Sequence, residues 1–231
     1  MKIVAVITCA GSSARMKVKN KLLIEICDKP VIIWSLLPFQ ESSRINSIVV
    51  TAPDDQIETY GNLFNKYSMN KVVKIVKGGD TRQISVFNAL SQIDNDCDLV
   101  AIHDGARCLL TGENLDELIE GAIKYGAVIP VVPANDTVKL VNEFGYVSST
   151  PDRDRVVMVQ TPQIFRFSVI KKANELAIKD KSICTDDSSL VERLKKVKVL
   201  SGRNDNIKIT YREDMKFVES LLRHRIKEEL A

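Results

Sequence analysis

Apolar residues along the chain follow two alternating patterns. Short runs that are apolar throughout predict buried β-strands, and longer segments with apolar residues three and four positions apart predict amphipathic helices. The predicted strands are residues 2–8, 45–52, 71–78, 97–104, 125–134, 156–160, 196–202 and 206–210. The predicted helices are residues 30–40, 54–67, 81–93, 113–126, 168–179, 185–196 and 212–230.

This alternation predicts an α/β fold, in which a mostly parallel twisted sheet has helices on both faces. A chain of 231 residues fits a single domain, residues 1–231. Ligands of such sheets bind at the carboxyl ends of the strands. We therefore expect several polar segments to meet at one edge of the sheet: ITCAGSSARM (7–16), KGGDTR (77–82), HDGAR (103–107) and NIKIT (206–210).

One segment departs from the alternation. Residues 136–155 alternate apolar and polar positions around the turn sequence Asn–Glu–Phe–Gly, which predicts a β-hairpin. A hairpin inserted after a sheet strand would project as an arm, at about 136–156. Two interpretations stay open for it, a surface hairpin without a role and an arm that forms a dimer and reaches into the partner's site.

Composition excludes several classes of function. The net charge of +3 is small and dispersed, which argues against nucleic-acid binding. No apolar run approaches the roughly 20 residues that span a bilayer, and no signal-peptide pattern opens the chain, so we expect a cytoplasmic protein without a membrane partner. The five cysteines lack metal-ligand spacing and are expected to be reduced thiols. With two histidines, the chain offers few candidates for a histidine general base.

The loop ITCAGSSARM is compatible with phosphate binding but does not establish it. Its single glycine fits neither of the common glycine-rich phosphate motifs. Small residues at 10 and 12–14 leave backbone N–H groups uncovered for an anion, and Gly11 permits close backbone approach or an unusual φ angle. A plain turn after the first strand is the alternative.

Six segments together resemble a known family. GSSARM with the following NKLLIEICDKPVIIWSL is similar to the signature that opens pyrophosphate-releasing nucleotidyltransferases. The other matching segments are GGDTRQISVFNAL, IHDGAR, PANDTVK, DRDRVVMVQTPQIF and TDDSSLVE with NIKITYREDM. In this order and spacing the chain resembles the 2-C-methyl-D-erythritol 4-phosphate cytidylyltransferases of non-mevalonate isoprenoid biosynthesis, from residue 2 to about residue 225.

The resemblance implies a Rossmann-like nucleotidyltransferase fold and a role for individual residues. Arg15 and Lys21 would stabilise the transition state, and Arg153 and Lys208 would position the methylerythritol phosphate. The polyol phosphate pocket would include Thr137, Thr161, Thr185 and Arg107. The CTP site would include Cys9, Ala10, Gly11, Ser12, Gly79, Asp80, Ser85 and Asp104.

The implied reaction suits the composition. A phosphate oxygen would attack the α-phosphorus of CTP and release pyrophosphate. Because the second pKa of a phosphate monoester is about 6, the nucleophile needs no general base. The difficulty is to bring two anions together, which requires lysine, arginine and Mg²⁺ or another divalent cation. The resemblance implies Mg²⁺ held mainly by the CTP phosphates, and a homodimer formed through the 136–156 arm.

The chain departs from the family pattern at a few positions. Ser13 replaces a glycine, Leu22 replaces the usual Gln, and Thr8, Cys9, Gly105 and Cys108 also differ. We expect CTP binding to survive these changes, with Ser13 affecting loop geometry. The alternatives are a cytidylyltransferase for another polyol phosphate, such as ribitol 5-phosphate, a catalytically inactive nucleotide-binding regulator, and a nucleic-acid-binding protein. We expect no fused cyclase domain after the last helix.

Overall fold

A computed structural model describes residues 1–11, 14–16, 18 and 20–229. Its strands are β1 (Ile3–Thr8), β2 (Glu25–Ile26), β3 (Lys29–Pro30), β4 (Ser47–Ala52), β5 (Val72–Lys77), β6 (Leu99–Asp104), β7 (Ala127–Pro133), β8 (Leu140–Val141), β9 (Val147–Ser149), β10 (Val157–Val159), β11 (Gln163–Arg166) and β12 (Lys198–Ser201). Its helices are α1 (Val31–Glu41), α2 (Ile57–Lys66), α3 (Arg82–Leu90), α4 (Gly112–Tyr125), α5 (Phe167–Asp180), α6 (Asp187–Val191) and α7 (Arg212–Glu229).

The central sheet has the strand order β10-β7-β11-β6-β1-β4-β5, and β12 also pairs with β7. The pairings β6-β1, β1-β4, β4-β5 and β12-β7 are parallel. The antiparallel strands are β10 and β11, which run beside β7, with β11 also pairing with β6. The predicted α/β fold with a mostly parallel sheet is confirmed; that residues 1–231 form one domain stays a prediction.

Alternate residues of the strands contribute to two cores, one on each face of the sheet, because successive side chains of a strand point to opposite faces. On β1, Ile3, Ala5 and Ile7 join the core that contains side chains of α1, α2, α4 and α7. Val4 and Val6 join the second core, formed with α3, α5 and α6. The parallel strands β1, β4 and β6 are therefore buried on both faces, as their apolar sequences predict, whereas β5 and β12 are partly exposed.

The predicted hairpin is present. Strands β8 and β9 pair antiparallel around Asn142–Gly145. The carboxamide oxygen of Asn142 accepts from the N–H groups of Phe144 (3.1 Å) and Tyr146 (3.0 Å), and Gly145 has a φ of +82°, where a side chain would be strained. Residues 139–150 are all exposed, and we call this hairpin the arm; its insertion in a single domain at about 136–156 stays a prediction.

Residues 206–210, predicted as a strand, do not form one. The carbonyl of Asn206 accepts from Arg107 Nη1 (2.6 Å), and that of Ile209 accepts from Lys21 Nζ (2.6 Å). Side chains thus occupy backbone groups that a neighbouring strand would need. One backbone bond, from Ile209 N to Ala106 O (2.9 Å), ties the segment to the end of β6.

Helix α6 is shorter than the predicted 185–196. It ends at Val191, because the N–H groups of Leu194 (2.8 Å) and Lys195 (2.9 Å) both bond to the Val191 carbonyl and close a turn. The short strands β2, β3 and β11 were not predicted. Each has two to four residues, too few for a periodic pattern.

Candidate active site

A cavity of about 400 Å³ opens at the carboxyl ends of β1, β5 and β6, where the sequence predicted that polar segments converge. Its walls come from the loop after β1, the loop between β5 and α3, the end of β6 and the segment before α7. The lining residues are Thr8, Ala10, Gly11, Arg15, Lys21, Leu22, Gly79, Asp80, Thr81, Arg82, Ser85, Asp104, Ala106, Lys208 and Thr210.

The loop after β1 presents backbone to the cavity. The N–H of Cys9 donates to the Thr51 carbonyl (2.9 Å), which fixes the start of the loop. Gly11 has no positive φ, and no described heavy atom lies within 4 Å of the position that a Cβ would take. The sequence suggested two reasons for a glycine at position 11, an unusual φ angle and close approach of the backbone to a ligand. This geometry is compatible with the second. Ser12 and Ser13 lie outside the described residues.

Cys9 contributes a small buried side chain to the loop. Its thiol is 1% exposed. Burial, helped by the charge of Asp104, raises the pKa of the Cys9 thiol far above its usual value, so the thiol stays protonated. A cysteine nucleophile is thereby excluded at this position.

The loop between β5 and α3 forms the opposite wall. Thr81 begins α3 and its hydroxyl accepts from the N–H of Ile84 (3.1 Å), as an N-cap does. The hydroxyl of Ser85 accepts from the N–H of Gly79 (3.0 Å) and donates to the Thr81 carbonyl (2.9 Å). A Cβ on Gly79 would lie 2.1 Å from Ile84 Cγ2, so glycine is required there. Asp80 is exposed and lines the cavity.

Asp104, at the end of β6, is surrounded by positive charge. Its carboxylate oxygens lie 3.1 Å from Arg82 Nε, 2.8 Å from Lys208 Nζ and 3.7 Å from Arg107 Nε. Arg82 also reaches Asp187 in α6, with 2.8 Å between Nη1 and Oδ2. The side chains of Asp104 and Asp187 are 9% and 2% exposed, so this is a buried ionic cluster.

The pKa of Asp104 reflects that cluster. Burial alone would raise it, but the charges of Arg82, Lys208 and Arg107 outweigh burial and hold the pKa of Asp104 well below its usual range. For Asp187 burial dominates over Arg82, and the pKa of this carboxyl is raised. Asp104 therefore stays ionised at neutral pH.

Sequence reasoning assigned no role to Arg82 and Asp187. Both lie within segments that carry the family resemblance, GGDTR and TDDSS. No local signal distinguishes them, because both stand among other polar residues, in GGDTRQ and TDDSS. Their pairing across α3 and α6 depends on tertiary structure, which the sequence pattern does not specify.

Lys21, Arg15 and Lys208 bring positive charge to one side of the cavity. The ammonium of Lys21 donates to the carbonyl of Ile209 (2.6 Å). Burial lowers the pKa of Lys21, and the charges of Lys208 and Arg15 lower it further. All three side chains line the same cavity, so they can act on one bound anion.

Thr161 is buried and its hydroxyl is already in use. It accepts from the N–H of Asp104 (3.1 Å) and lies 3.0 Å from Nδ1 of His103. The other ring nitrogen of His103 lies 2.9 Å from the Arg107 carbonyl. Since a carbonyl accepts only, Nε2 carries the proton and Nδ1 accepts from Thr161. His103 is thus a neutral structural residue at the strand end.

A second cavity, of about 620 Å³, adjoins the first at Lys208. Arg107 lines this second cavity, together with residues at the base of the arm such as Asp136 and Val138. The guanidinium of Arg107 is held by the carbonyls of Asn206 (2.6 Å) and Val159 (3.4 Å).

The structure does not bring all predicted site residues together in one chain. Thr137 and Thr185 are exposed and do not line the first cavity. Arg153 lies at the base of the arm, where Nη1 donates to the Asn135 carbonyl (3.3 Å), and it lines a separate cavity of about 420 Å³. The roles predicted for these three residues stay predictions.

The described residues contain no group of three or more His, Cys, Asp or Glu side chains that could hold a metal ion. Two carboxylates, Asp80 and Asp104, line the cavity. Mg²⁺ in phosphate-transfer sites usually binds one or two carboxylates, waters and substrate phosphates. The donor set fits a Mg²⁺ that enters with its phosphate ligand.

None of the described helices is long and apolar enough to cross a membrane.

Comparison with known proteins identifies related chains. The family model described as IspD, 2-C-methyl-D-erythritol 4-phosphate cytidylyltransferase, matches residues 3–224. The cytidylyltransferase of that name from Caldanaerobacter subterraneus subsp. tengcongensis is 45% identical over 226 residues, which cover 96% of this chain and 100% of the relative. The one from Geobacillus thermodenitrificans is 41% identical over 230 residues, covering 99% and 100%.

A solved structure is similar over nearly the same length. The 4-diphosphocytidyl-2C-methyl-D-erythritol synthase from Anaerococcus prevotii superposes with a TM-score of 0.85 at 33% identity, covering 96% of this chain and 98% of that one. The Rossmann-like fold implied by the sequence resemblance is thereby confirmed.

Proposed function

The chain belongs to the 2-C-methyl-D-erythritol 4-phosphate cytidylyltransferase family, and we propose that the 400 Å³ cavity holds its CTP. It is a nucleotidyltransferase of isoprenoid biosynthesis, which joins 2-C-methyl-D-erythritol 4-phosphate to CTP. The observation that carries the site assignment is the convergence of Arg15, Lys21 and Lys208 on one cavity beside the ionised Asp104.

The catalytic task of this site is electrostatic. The acceptor is a phosphate monoester with a second pKa of about 6, and it arrives largely as the dianion. Two anions must approach in line, and fixed positive charges lower that barrier without reorganising. We assign this role to Arg15 and Lys21, which face the cavity from the loop after β1. No general base is required, consistent with a neutral, buried His103.

The cytidine would lie against the β5–α3 loop. Gly79 and Ser85 form a closely packed wall there, and Asp80 is exposed beside it. Ala10 and Gly11 line the cavity from the loop after β1, next to buried Cys9, and the predicted CTP residue Ser12 lies outside the described residues. Small side chains on both walls permit backbone groups to recognise the base.

A divalent cation is used by this family, and we propose Mg²⁺ here, which would be held mainly by the CTP phosphates, with Asp80 and Asp104 as the carboxylates of the cavity. When bound, it would neutralise charge on the triphosphate. Lys208 and Arg82 keep Asp104 ionised and fix its orientation, so that its carboxylate could bind the cation.

The acceptor is assigned to the adjoining 620 Å³ cavity. Arg107 lines it, and Lys208 lines both cavities, so Lys208 can position a phosphate between them. Thr137, between the lining residues Asp136 and Val138, and Thr185 are assigned to the acceptor from the family resemblance alone. Buried Thr161 would act by holding the backbone of Asp104.

The arm supports a proposed homodimer. Its exposed apolar residues, including Phe144 (76% exposed) and Tyr146 (72%), form a surface of the kind that partners cover. Arg153 lies at the base of this arm and outside the cavity that Lys21 lines. We infer that Arg153 positions the acceptor in the site of the partner subunit. Cytoplasmic location stays a prediction.

Pyrophosphate release tests these assignments. Purified protein would be incubated with CTP and Mg²⁺, and with methylerythritol 4-phosphate, ribitol 5-phosphate or no acceptor. We expect release with methylerythritol phosphate alone. Comparable pyrophosphate release with ribitol phosphate would contradict the assignment of the second cavity to methylerythritol phosphate. Pyrophosphate release without acceptor would contradict an attack by the acceptor phosphate.

The Lys21→Ala variant tests the catalytic assignment. Removing one charge that faces the transition state costs about 2.7–4 kcal/mol, and we expect kcat to fall by at least about a hundredfold. Circular dichroism and the melting temperature should stay near those of the wild type. A folded variant with a near wild-type rate would show that Lys21 has no catalytic role.

A further inference from the structure

Asn20, directly before Lys21, uses its carboxamide oxygen to hold the backbone and its carboxamide nitrogen to reach two side chains. Its Oδ1 accepts from the N–H of Leu22 (2.9 Å) and caps the short 3₁₀ helix Lys21–Leu23. Its Nδ2 donates to Gln56 Oε1 (2.6 Å) and to the hydroxyl of Tyr60 (2.9 Å). The loop that carries Lys21 is therefore attached through one side chain to the beginning of α2.

Tyr60 is a rigid anchor for this attachment. It is 0% exposed, and its ring packs on Phe64 with 5.7 Å between centroids. Burial raises the pKa of Tyr60 far above its usual range, so the hydroxyl keeps its proton and can both donate and accept. Such a hydroxyl in an apolar core needs a partner, and Asn20 provides one.

Lys21 is consequently fixed at both ends. Asn20 holds its backbone against α2, and the Lys21 ammonium donates to the Ile209 carbonyl (2.6 Å). Leu22, the next residue, is 5% exposed and anchors the same turn in the core. A displacement of this turn would move the ammonium relative to the cavity, and small displacements of catalytic groups are costly.

We propose that Tyr60, acting through Asn20 with Gln56, is a positioning residue for Lys21. The inference rests on the catalytic role proposed for Lys21. Neither Tyr60 nor Asn20 lines the cavity, so their effect on the reaction is exerted through the orientation of the lysine.

The first test is Tyr60→Phe, which keeps the ring in the core and removes the hydroxyl. We expect kcat to fall about five- to twentyfold, with the KM values for CTP and acceptor within about twofold of the wild type. The matched control is Tyr67→Phe, just beyond the end of α2, whose hydroxyl donates to the Asp28 carbonyl (3.4 Å) away from the site. An unchanged kcat in Tyr60→Phe, or an equal loss in both variants, would overturn the proposal.

A double variant separates positioning from general structural support. If Tyr60 acts through Lys21, then Tyr60→Phe should change the residual rate of Lys21→Ala by less than about twofold. An equal fractional loss in both backgrounds would refute the proposal. A Lys21→Ala protein with a near wild-type rate would instead refute the proposed function of Lys21, so the two failures are distinguishable.

Asn20→Ser provides a second route should Tyr60→Phe not fold. Serine can still cap the 3₁₀ helix but is too short to reach Gln56 and Tyr60. We expect Asn20→Ser to lower kcat with little change in the KM values, and to have no such effect when Lys21 is already alanine. A wild-type kcat in Asn20→Ser would show that the attachment to α2 does not position Lys21.

Discussion

Asp104 receives its charge state from residues on separate elements. Arg82 comes from α3, Lys208 from the segment before α7 and Arg107 from the turn after β6. Arg82 is the only one of these three that also binds Asp187, among the described ion pairs. Its removal would leave two buried carboxylates without their shared partner.

We expect Arg82→Ala to lower the free energy of unfolding by about 3–5 kcal/mol, as measured by urea denaturation, because it breaks a buried ionic cluster. The matched control is Arg44→Ala. Arg44 pairs with Glu120 at 2.6 Å, but the Glu120 side chain is 67% exposed. Loss of this surface pair should cost at most about 1 kcal/mol. Equal effects of the two substitutions would contradict a structural role for the Arg82 cluster.

His103 predicts a pH dependence of stability. Burial lowers its pKa from 6.5 to about 4. Between these two pH values the unfolded chain binds a proton that the folded chain does not, so stability is fully present above pH 6.5 and is lost as the pH falls toward 4. The contribution is up to about 3 kcal/mol.

Urea denaturation of wild type and His103→Asn at several pH values from 7.5 to 4.5 checks this. The difference in unfolding free energy between the two proteins should shrink as the pH falls. The control is His224→Asn, since His224 is 69% exposed in α7. A constant difference between wild type and His103→Asn would contradict a buried neutral imidazole.

At the scale of residues, the sequence predicted which residues line the cavity but not which ion pairs and hydrogen bonds they form. The family resemblance identified Lys21, Asp104 and Lys208, and all three line one cavity. Arg82, Asp187 and Tyr60 were missed, because their contacts join residues between 22 and 105 positions apart or depend on a buried hydroxyl. A pattern of apolar and polar positions carries no information on such pairings.

Among the elements, the loops at the ends of β1 and β5 form two walls of the cavity that we propose for CTP. Both contain glycines, but the two positions differ physically. A Cβ on Gly79 would overlap Ile84 in the first turn of α3, whereas a Cβ on Gly11 would meet no described atom within 4 Å. Packing therefore requires glycine at 79, whereas packing in the described chain does not require it at 11, and we infer that a bound nucleotide does.

We therefore expect opposite effects of two alanine substitutions. Gly11→Ala should leave the free energy of unfolding within about 0.5 kcal/mol of the wild type and raise the KM for CTP about tenfold. Gly79→Ala should destabilise the protein by about 1–3 kcal/mol, because overlap with Ile84 displaces the start of α3. Denaturation and steady-state kinetics measure the two quantities. A stability loss in Gly11→Ala larger than that in Gly79→Ala would contradict this distinction.

The major elements were predictable because their signals are local. Apolar runs located the parallel strands, and the Asn–Glu–Phe–Gly turn located the arm. The strand predicted at residues 206–210 is wrong for a physical reason. NIKIT has the composition of a strand, but two of its carbonyls accept hydrogen bonds from Arg107 and Lys21. The segment lies beside the cavity, as predicted, but it is not a strand.

At the scale of the whole molecule, the arm is the feature that we expect to contact a second chain. Its apolar residues are exposed, as are Val157 (42%), Met158 (59%) and Val159 (39%) of the neighbouring strand. Isologous dimers bury the same patch on both subunits. A dimer formed here would cover the arm and bring Arg153 close to another chain.

We expect the wild type to sediment as a dimer and the double variant Phe144→Glu with Tyr146→Glu to sediment as a monomer with reduced activity, because charges in an apolar interface are costly. The control is Val73→Glu, which places a charge at another exposed apolar position, in β5. Dissociation by Val73→Glu, or a dimeric arm variant, would contradict an interface at the arm.

The separation of Arg153 from the cavity of Lys21 has a genetic consequence. If each site takes Lys21 from one chain and Arg153 from the other, Lys21→Ala and Arg153→Ala subunits would complement each other. In each mixed dimer one site carries both defects and the other carries none. Two inactive preparations, mixed and allowed to exchange subunits, should recover about a quarter of the wild-type rate.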